Sequence, residues 1–218
     1  MGDQSRYEAL RGPVRMTSLC VFTAGQDLKL IRASAQRVGI DLQTFDGTWK
    51  TFVDIKLRRA IGFLQTRTEQ VAMWVDGHDS LILKGAGEIE RRFFAEFKSP
   101  VVVSAEANCF PDANVADLYP PVVSGLPRYI CAGGFIGFRK PLIETLEVIL
   151  KQAKSDDDQR EWTRAFLDGK VNIELDYQRR LYSSAGDGPL ALTSDACVMH
   201  WNGKIEGRDQ FWERTCTS

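Results

Sequence analysis

The stretch that indicates the fold most directly is Val71-Ala72-Met73-Trp74-Val75-Asp76-Gly77-His78-Asp79, an apolar run that ends at two carboxylates. Its first five residues are wholly apolar, which is typical of a parallel strand covered on both faces. In an open α/β sheet, ligands bind outside the carboxyl ends of the strands, so Asp76 and Asp79 lie where a ligand would be held. Two converging carboxylates need a cation, and Mg²⁺ or Mn²⁺ bridging to a substrate diphosphate would supply it. A solvated polar turn is the competing interpretation.

Strand and helix patterns alternate on both sides of this run. Apolar runs at Leu19 to Phe22, Val101 to Ala105 and Cys131 to Phe138 predict further strands, with helix-compatible patterns between them. This alternation implies an α/β sheet with right-handed crossovers. From Asn108 to Pro127 the pattern gives way to a loop with four prolines, and a loop of that length inside a compact domain is usually functional.

Composition and charge restrict the function classes. The chain has 218 residues, 44% of them hydrophobic and 26% charged, which predicts one globular domain. The 28 Lys and Arg against 29 Asp and Glu give a net charge of -1, too balanced for binding nucleic acid mainly by phosphate neutralisation. No apolar run approaches the roughly 20 residues that span a bilayer, so we expect no membrane partner. Met1 to Arg15 has no secretory-signal pattern, and the five cysteines lack close pairs, so we expect a cytoplasmic protein with reduced thiols.

Several motifs occur together and in order along the chain. They are Phe22-Thr23-Ala24, Asp76-Gly77-His78-Asp79, Ser104-Ala105-Glu106, Cys109-Phe110-Pro111, Gly133-Gly134-Phe135-Ile136-Gly137-Phe138, Asp156-Asp157-Asp158-Gln159 and Met199-His200-Trp201-Asn202-Gly203. In this combination the chain resembles the glycosyltransferase domain of the procollagen lysyl hydroxylases and their relatives, the PLOD-type family. The resemblance covers about residues 18–204, leaving 1–17 as an N-terminal extension and 205–218 as a C-terminal tail. It implies a single-domain GT-A fold, which is a Rossmann-like, nucleotide-sugar-binding α/β fold with a mixed, mostly parallel central sheet.

The resemblance also implies the residues of a site. Asp76, Asp79 and His200 match the ligands of Mn²⁺, with Mg²⁺ as the alternative ion, and an imidazole ligand favours Mn²⁺. By its spacing alone, His78 is the alternative nitrogen ligand. Contacts to the UDP-sugar fall on Thr23, Trp49, Val75, Asp76, Gly133 and Gly134. Asp157 and Asp158 match residues near the transferred sugar, where they would stabilise an oxocarbenium charge or orient the acceptor, while a helix cap is their competing interpretation.

Two departures from the family pattern concern specificity. Ile130-Cys131-Ala132 stands where relatives commonly have leucine, asparagine and serine, so a polar side chain expected near the donor sugar is missing. Phe110 replaces a tryptophan close to the acceptor side. We expect an acceptor other than folded procollagen, because neither hydroxylase domains nor a secretory signal accompany the domain.

The residues and the resemblance together predict a metal-dependent glycosyltransferase that moves a hexose from a UDP-sugar to a hydroxyl on a small molecule, peptide or protein. The resemblance further implies that the transfer retains the anomeric configuration. One alternative is a nucleotide-sugar-binding protein that has lost transfer. Another is a transferase that glycosylates hydroxymethylated bases in DNA. Scattered basic pairs would serve such a partner, although pairs of this kind are usually solvated surface: Arg58-Arg59, Arg91-Arg92, Arg139-Lys140 and Arg179-Arg180.

Overall fold

The computed structural model describes residues 19–25, 27–45 and 51–216. The strands, in chain order, are β1 (Leu19–Ala24), β2 (Gln43–Phe45), β3 (Val71–Val75), β4 (Ser80–Ile82), β5 (Val101–Glu106), β6 (Tyr129–Phe138), β7 (Glu174–Leu175), β8 (Tyr182–Ser184) and β9 (Val198–His200). The α-helices are α1 (Lys29–Arg37), α2 (Ala60–Gln65), α3 (Ala86–Glu96), α4 (Arg139–Gln152), α5 (Asp158–Leu167), α6 (Pro189–Leu192) and α7 (Ile205–Thr215). A π-helix over Asp54–Arg59 leads directly into α2, and 3₁₀ turns cover Ala113–Leu118 and Ala185–Asp187.

The central sheet has the strand order β2-β1-β3-β6-β5-β7. β1 pairs in parallel with β2 and β3, and β5 pairs in parallel with β7, whereas β6 runs antiparallel to both of its neighbours. This mixed, mostly parallel sheet confirms the predicted fold class. The strand predicted over 71–75 has those bounds, and every residue in it is buried, as the apolar run requires.

Aromatic and aliphatic side chains cover both faces of this sheet. On one face Trp74 stacks against Phe135 with ring centroids 6.0 Å apart, and Trp162 from α5 packs on the same Phe135 ring. On the other face Met73 and Ile136 lie in a second buried cluster with Phe93 of α3 and its neighbours. Burial of each such side chain stabilises the fold by roughly 1.5–3 kcal/mol. Packing on both faces of the sheet thereby fixes the position of the carboxyl end of β3.

A second, three-stranded sheet has the order β4-β9-β8 and was not predicted as a unit. β9 lies in the middle, antiparallel to β4 and parallel to β8. Its register places His200 opposite Ser80 on one side and Ser184 on the other. The second sheet therefore brings a residue from far along the chain to the loop that follows β3.

Residues 205–215, which the sequence analysis treats as part of a tail, form helix α7. Its Phe211 ring lies 5.3 Å from the Trp201 ring, and its buried Arg208 donates a hydrogen bond to the carbonyl of His78. α7 thus packs against the chain beside both the β3 loop and the end of β9. Among the described residues, no helix combines the length and the apolar character that a membrane span needs.

Candidate functional site

Asp76 lies immediately after β3 and is held by backbone and side-chain hydrogen bonds. Its N–H donates to the carbonyl of Gly133 at 2.9 Å. Its carboxylate accepts from the indole N–H of Trp74 and from the ammonium of Lys56, each at 2.8 Å. The strand that precedes Asp76 and the antiparallel strand β6 beside it therefore fix where this carboxylate points.

Asp76, Asp79 and His200 come together at this end of the sheet. His200 Nε2 lies 3.2 Å from Asp79 Oδ2 and 3.9 Å from Asp76 Oδ2, and one ligand atom from each residue lies within 4.8 Å of the others. The backbone N–H of Gly203 donates to Asp79 Oδ2 at 2.5 Å. Two carboxylate oxygens and one imidazole nitrogen fit the donor preferences of Mn²⁺, so these residues could hold the metal that the sequence predicts. His78 stands outside this group.

Asp79 and His200 shift each other's pKa. Burial would raise the pKa of Asp79, but the charge of His200 and the hydrogen bonds from His200 and Gly203 outweigh it and hold that pKa well below its usual range. Burial would likewise lower the pKa of His200, and the neighbouring Cys131 and Asp79 outweigh this and raise it. Without a metal ion, the two side chains thus form a buried ion pair.

The imidazole of His200 packs directly on the backbone of Gly133. A Cβ atom at position 133 would lie 2.2 Å from His200 Cε1 and 2.5 Å from Nδ1, so only glycine fits. Behind the ring, Cys131 Sγ contacts Nδ1 at 3.4 Å. A partner on Nδ1 is how metal-binding histidines are usually oriented so that Nε2 faces the ion. Cys131, the departure from the family pattern, therefore lies against the histidine.

Lys56 is a site residue that no motif in the sequence indicates. Its ammonium lies 2.8 Å from Asp76 and 3.3 Å from Asp158, and the side chain is buried. Burial would lower the pKa of Lys56, but the charges of Asp158 and Asp76 outweigh it and raise the pKa. Lys56 lies in the π-helix, where the consecutive residues Ile55, Lys56 and Leu57 are all buried. In the sequence, the signal for this site residue is a lysine between two aliphatic residues, Ile55 and Leu57.

Glu106 at the end of β5 is the centre of a polar network. It accepts a hydrogen bond on Oε1 from Gln159 Nε2 at 2.8 Å and one on Oε2 from Asn202 Nδ2 at 3.0 Å. Gln159 Oε1 in turn accepts from the N–H of Ala132 at 3.0 Å, and Asn202 Oδ1 accepts from Ser184 Oγ at 2.6 Å. The motifs that contain Glu106, Gln159 and Asn202 were recognised in the sequence, but this network was not predicted.

One cleft of about 510 Å³ is lined by the residues described so far that carry charge or form the Glu106 network: Lys56, Asp76, Asp79, Glu106, Gln159, His200 and Asn202. Asp157 and Asp158 line the same cleft, and Lys56 lies between Asp158 and Asp76 of the metal-binding group, which consists of Asp76, Asp79 and His200. Asp157 is also the N-cap of α5, accepting from the N–H of Arg160 at 3.0 Å, and Asp158 is buried against Lys56. Burial raises the pKa of Asp158, with the charge of Lys56 opposing it. The helix-cap interpretation is thus correct for the side chain of Asp157, which faces the cleft as well.

The remaining predicted nucleotide contacts lie at different depths. Gly133 lines the cleft, whereas Gly134 packs under the ring of Tyr182, which a Cβ there would approach to 2.4 Å. Thr23 is fully buried and donates its hydroxyl hydrogen to the carbonyl of Val75 at 2.6 Å, so this pair joins β1 to β3 below the cleft. Trp49 lies outside the described residues.

The seven arginines of the four basic pairs contact groups of their own chain. Arg58 and Arg59 both pair with Asp54. The other arginines bind carboxylates or carbonyls of their own chain: Arg91 and Arg92 with Glu88, Arg139 with the carbonyl of Glu69, Arg179 with Asp187, and Arg180 with Glu96.

The fold is shared with a solved structure. A crystal structure described as a glycosyltransferase involved in the glycosylation of the major capsid of PBCV-1 matches 89% of this chain and 98% of its own, with a TM-score of 0.59 at 12% sequence identity. An identity that low carries the fold and nothing more. Together, the sheet order and this likeness define a GT-A-type glycosyltransferase fold.

Sequence comparison is more specific. The family model described as the PLOD GT domain matches residues 25–194, and the chain belongs to that family of glycosyltransferase domains. Procollagen-lysine,2-oxoglutarate 5-dioxygenase 1 of Gallus gallus is 30% identical over 205 residues, which cover 86% of this chain and 27% of the relative. Multifunctional procollagen lysine hydroxylase and glycosyltransferase LH3 of Homo sapiens is 33% identical over 125 residues, or 54% of this chain and 16% of the relative. The chain therefore matches about a quarter or less of the length of these relatives.

Proposed function

We propose that the chain transfers a hexose from a UDP-sugar to a hydroxyl acceptor and needs a divalent metal ion, most suitably Mn²⁺, with Mg²⁺ as the alternative. The observation that carries this proposal is the convergence of Asp76, Asp79 and His200 at the carboxyl end of β3, in the cleft of a GT-A fold. When bound, the ion would act as a Lewis acid on the leaving diphosphate. The family membership supports transfer with retention of the anomeric configuration.

The side chains around the metal-binding group have complementary tasks in this proposal. Lys56 offsets the charges of Asp76 and Asp158. These two carboxylates and Asp79 can therefore lie close together in the cleft before the donor binds. Phe52 and Phe110 line the cleft and are 48% and 63% exposed, so each offers an apolar surface to a sugar or an acceptor. The acceptor we propose is a hydroxyl on a small molecule or peptide. Because its relatives are named for procollagen lysine, peptides that carry a hydroxylated lysine belong in the first acceptor panel.

The test is whether UDP binding depends on a metal ion held by these residues. Two carboxylates that face a diphosphate repel it unless a cation lies between them, so we expect the UDP affinity to fall at least about tenfold when EDTA removes the metal. Calorimetric titration of UDP in Mn²⁺, in Mg²⁺ and in EDTA measures this dependence. Asp79→Asn should abolish it.

Asp112→Asn is the matched control, because Asp112 is half-exposed and pairs with Arg160 rather than with the metal-binding group. It should keep the full metal dependence. Equal UDP affinity with and without EDTA, or an Asp79→Asn variant with unchanged metal dependence, would contradict the assignment of the site.

A further inference from the structure

Glu106 occupies a pocket that is built for a side chain with two acceptor oxygens. Each carboxylate oxygen faces an amide N–H, one from Gln159 and one from Asn202. Neither amide is free to turn around, because the oxygen of Gln159 accepts from the N–H of Ala132 and the oxygen of Asn202 accepts from Ser184. The two donors therefore hold the carboxylate in one orientation at the wall of the cleft.

The partners of Glu106 distinguish it from the other carboxylates that line the described part of the cleft. Asp76 and Asp79 belong to the metal-binding group, Asp158 pairs with Lys56, and Asp157 caps α5. Both side chains that hydrogen-bond to Glu106 are neutral, and no ion pair joins it to a described cation. Its negative charge is thus not committed to a cation or to a helix end.

The surroundings of Glu106 favour proton uptake near neutral pH. The side chain is only 6% exposed, and burial raises its pKa to about 7, with the hydrogen bond from Gln159 and the charge of His200 opposing this and Asp187 adding to it. The thiols of Cys109 and Cys131 are the other titratable groups of this network, the first through its electrostatic effect and the second through Asn202. A general base works best when its pKa lies near the working pH.

We propose that Glu106 is the general base that accepts the proton of the attacking hydroxyl, an inference that rests on the proposed function. The acceptor oxygen bonds to the anomeric carbon on the same face from which the diphosphate leaves, as retention requires. The bond from that carbon to the diphosphate breaks, and its electron pair leaves with UDP. The hydroxyl proton passes to a carboxylate oxygen of Glu106 and then to water when the products leave. Gln159 and Asn202 are positioning residues that aim the carboxylate.

The experiment uses water as the acceptor, so the natural acceptor need not be known. UDP release from UDP-glucose and from UDP-galactose is measured in Mn²⁺ for the wild type, Glu106→Gln, Glu106→Ala and the control Asp112→Asn. We expect Glu106→Gln and Glu106→Ala to lower kcat by about 10²-fold or more while the dissociation constant of UDP stays within about twofold. Asp112→Asn should behave as the wild type, because its carboxylate pairs with Arg160 outside the cleft lining.

Two further readouts separate proton transfer from a structural role. The wild-type kcat should rise with pH through about 7, and this rise should be absent in Glu106→Gln. Added formate, a small carboxylate base, should restore part of the activity of Glu106→Ala, whereas chloride should not.

Each contrary result has a defined meaning. Three results would overturn the role of Glu106. The first is a Glu106→Gln variant with the wild-type rate and pH profile, and the second is a loss of UDP binding that parallels the loss of rate. The third is a Glu106→Ala variant whose activity formate does not restore. A wild-type protein that hydrolyses neither UDP-sugar would instead count against the proposed donor, and with it the reaction that Glu106 would serve.

Discussion

Gly133 shows how closely the imidazole of the site is fitted to the backbone. An alanine there would place a carbon atom 2.2 Å from His200 Cε1, far inside van der Waals contact. We expect Gly133→Ala to displace the imidazole and to weaken Mn²⁺ binding by about 10- to 100-fold, the range typical of disturbed metal-ligand support. Titration of free Mn²⁺ by electron paramagnetic resonance measures this affinity directly.

Gly62→Ala is the matched control for that substitution. Gly62 lies in α2, where an added Cβ meets nothing within 4 Å. The Mn²⁺ affinity should be unchanged, and the free energy of unfolding should rise by about 0.5–1 kcal/mol because alanine favours a helix interior. Wild-type Mn²⁺ affinity in Gly133→Ala would mean that His200 does not bind the ion.

At the residue scale, the sequence indicated the acidic and imidazole groups better than their partners. Asp76 and Asp79 follow an apolar strand, so their place at the sheet end could be inferred from one short segment. Lys56 reaches Asp76 from another element, and Asn202 reaches Glu106 across 96 positions of sequence. Contacts of that kind depend on how elements pack, which local patterns do not specify.

Among the elements, helix α5 depends on its N-cap residue, Asp157. Asp157 accepts from the N–H of Arg160, which would otherwise lack a helical partner. We expect Asp157→Ala to lower the free energy of unfolding by about 1 kcal/mol, and Asp157→Asn to lower it much less because asparagine is an equally good N-cap. Urea denaturation of both variants measures the difference.

The same pair of variants tests whether Asp157 has a second role in the cleft. If capping is its whole role, UDP release should follow stability, with Asp157→Asn close to the wild type. A loss of turnover in Asp157→Asn at unchanged stability would show that the charge itself acts on the transferred sugar. Equal stability of Asp157→Ala and the wild type would instead contradict the cap.

Element type was predictable where the apolar pattern was long, and two of the short strands, β4 and β8, are not indicated by the sequence. β3 is a continuous apolar run and β5 begins with one, and both appear as buried strands. β4 and β8 contain three residues each, too few for periodicity to be visible, so the second sheet was not anticipated. The segment before α2 winds as a π-helix over Asp54–Arg59, a change of winding that residue spacing alone does not reveal.

For the molecule as a whole, Glu106 should make stability depend on pH. Its pKa is raised from 4.5 to about 7 in the folded protein, so between these values the unfolded chain has lost a proton that the folded chain keeps. Stability should therefore fall as pH rises through this window, by about 3 kcal/mol from this group, and should change no further above it. Asp176, whose pKa burial raises to about 6, contributes in the same direction.

Comparison with Glu106→Gln isolates the contribution of this one group. Guanidinium denaturation in EDTA at intervals from pH 4.5 to 7.5 should give a smaller decline of the unfolding free energy for the variant than for the wild type. Parallel curves for the two proteins would mean that Glu106 has the same proton affinity in the folded and unfolded chains.

The position of β9 between β4 and β8 determines when, during synthesis of the chain, the metal-binding group can be completed. Both aspartates of the metal-binding group are synthesised before β9, which contains His200 and is the last strand among the described residues. Because chains fold from the N-terminus as they leave the ribosome, much of the central sheet can assemble before the imidazole exists. The third ligand, His200, is in place only after β9 has paired with β4 and β8, which both precede it in the chain. The group formed by Asp76, Asp79 and His200 is therefore complete only once β9 has been synthesised.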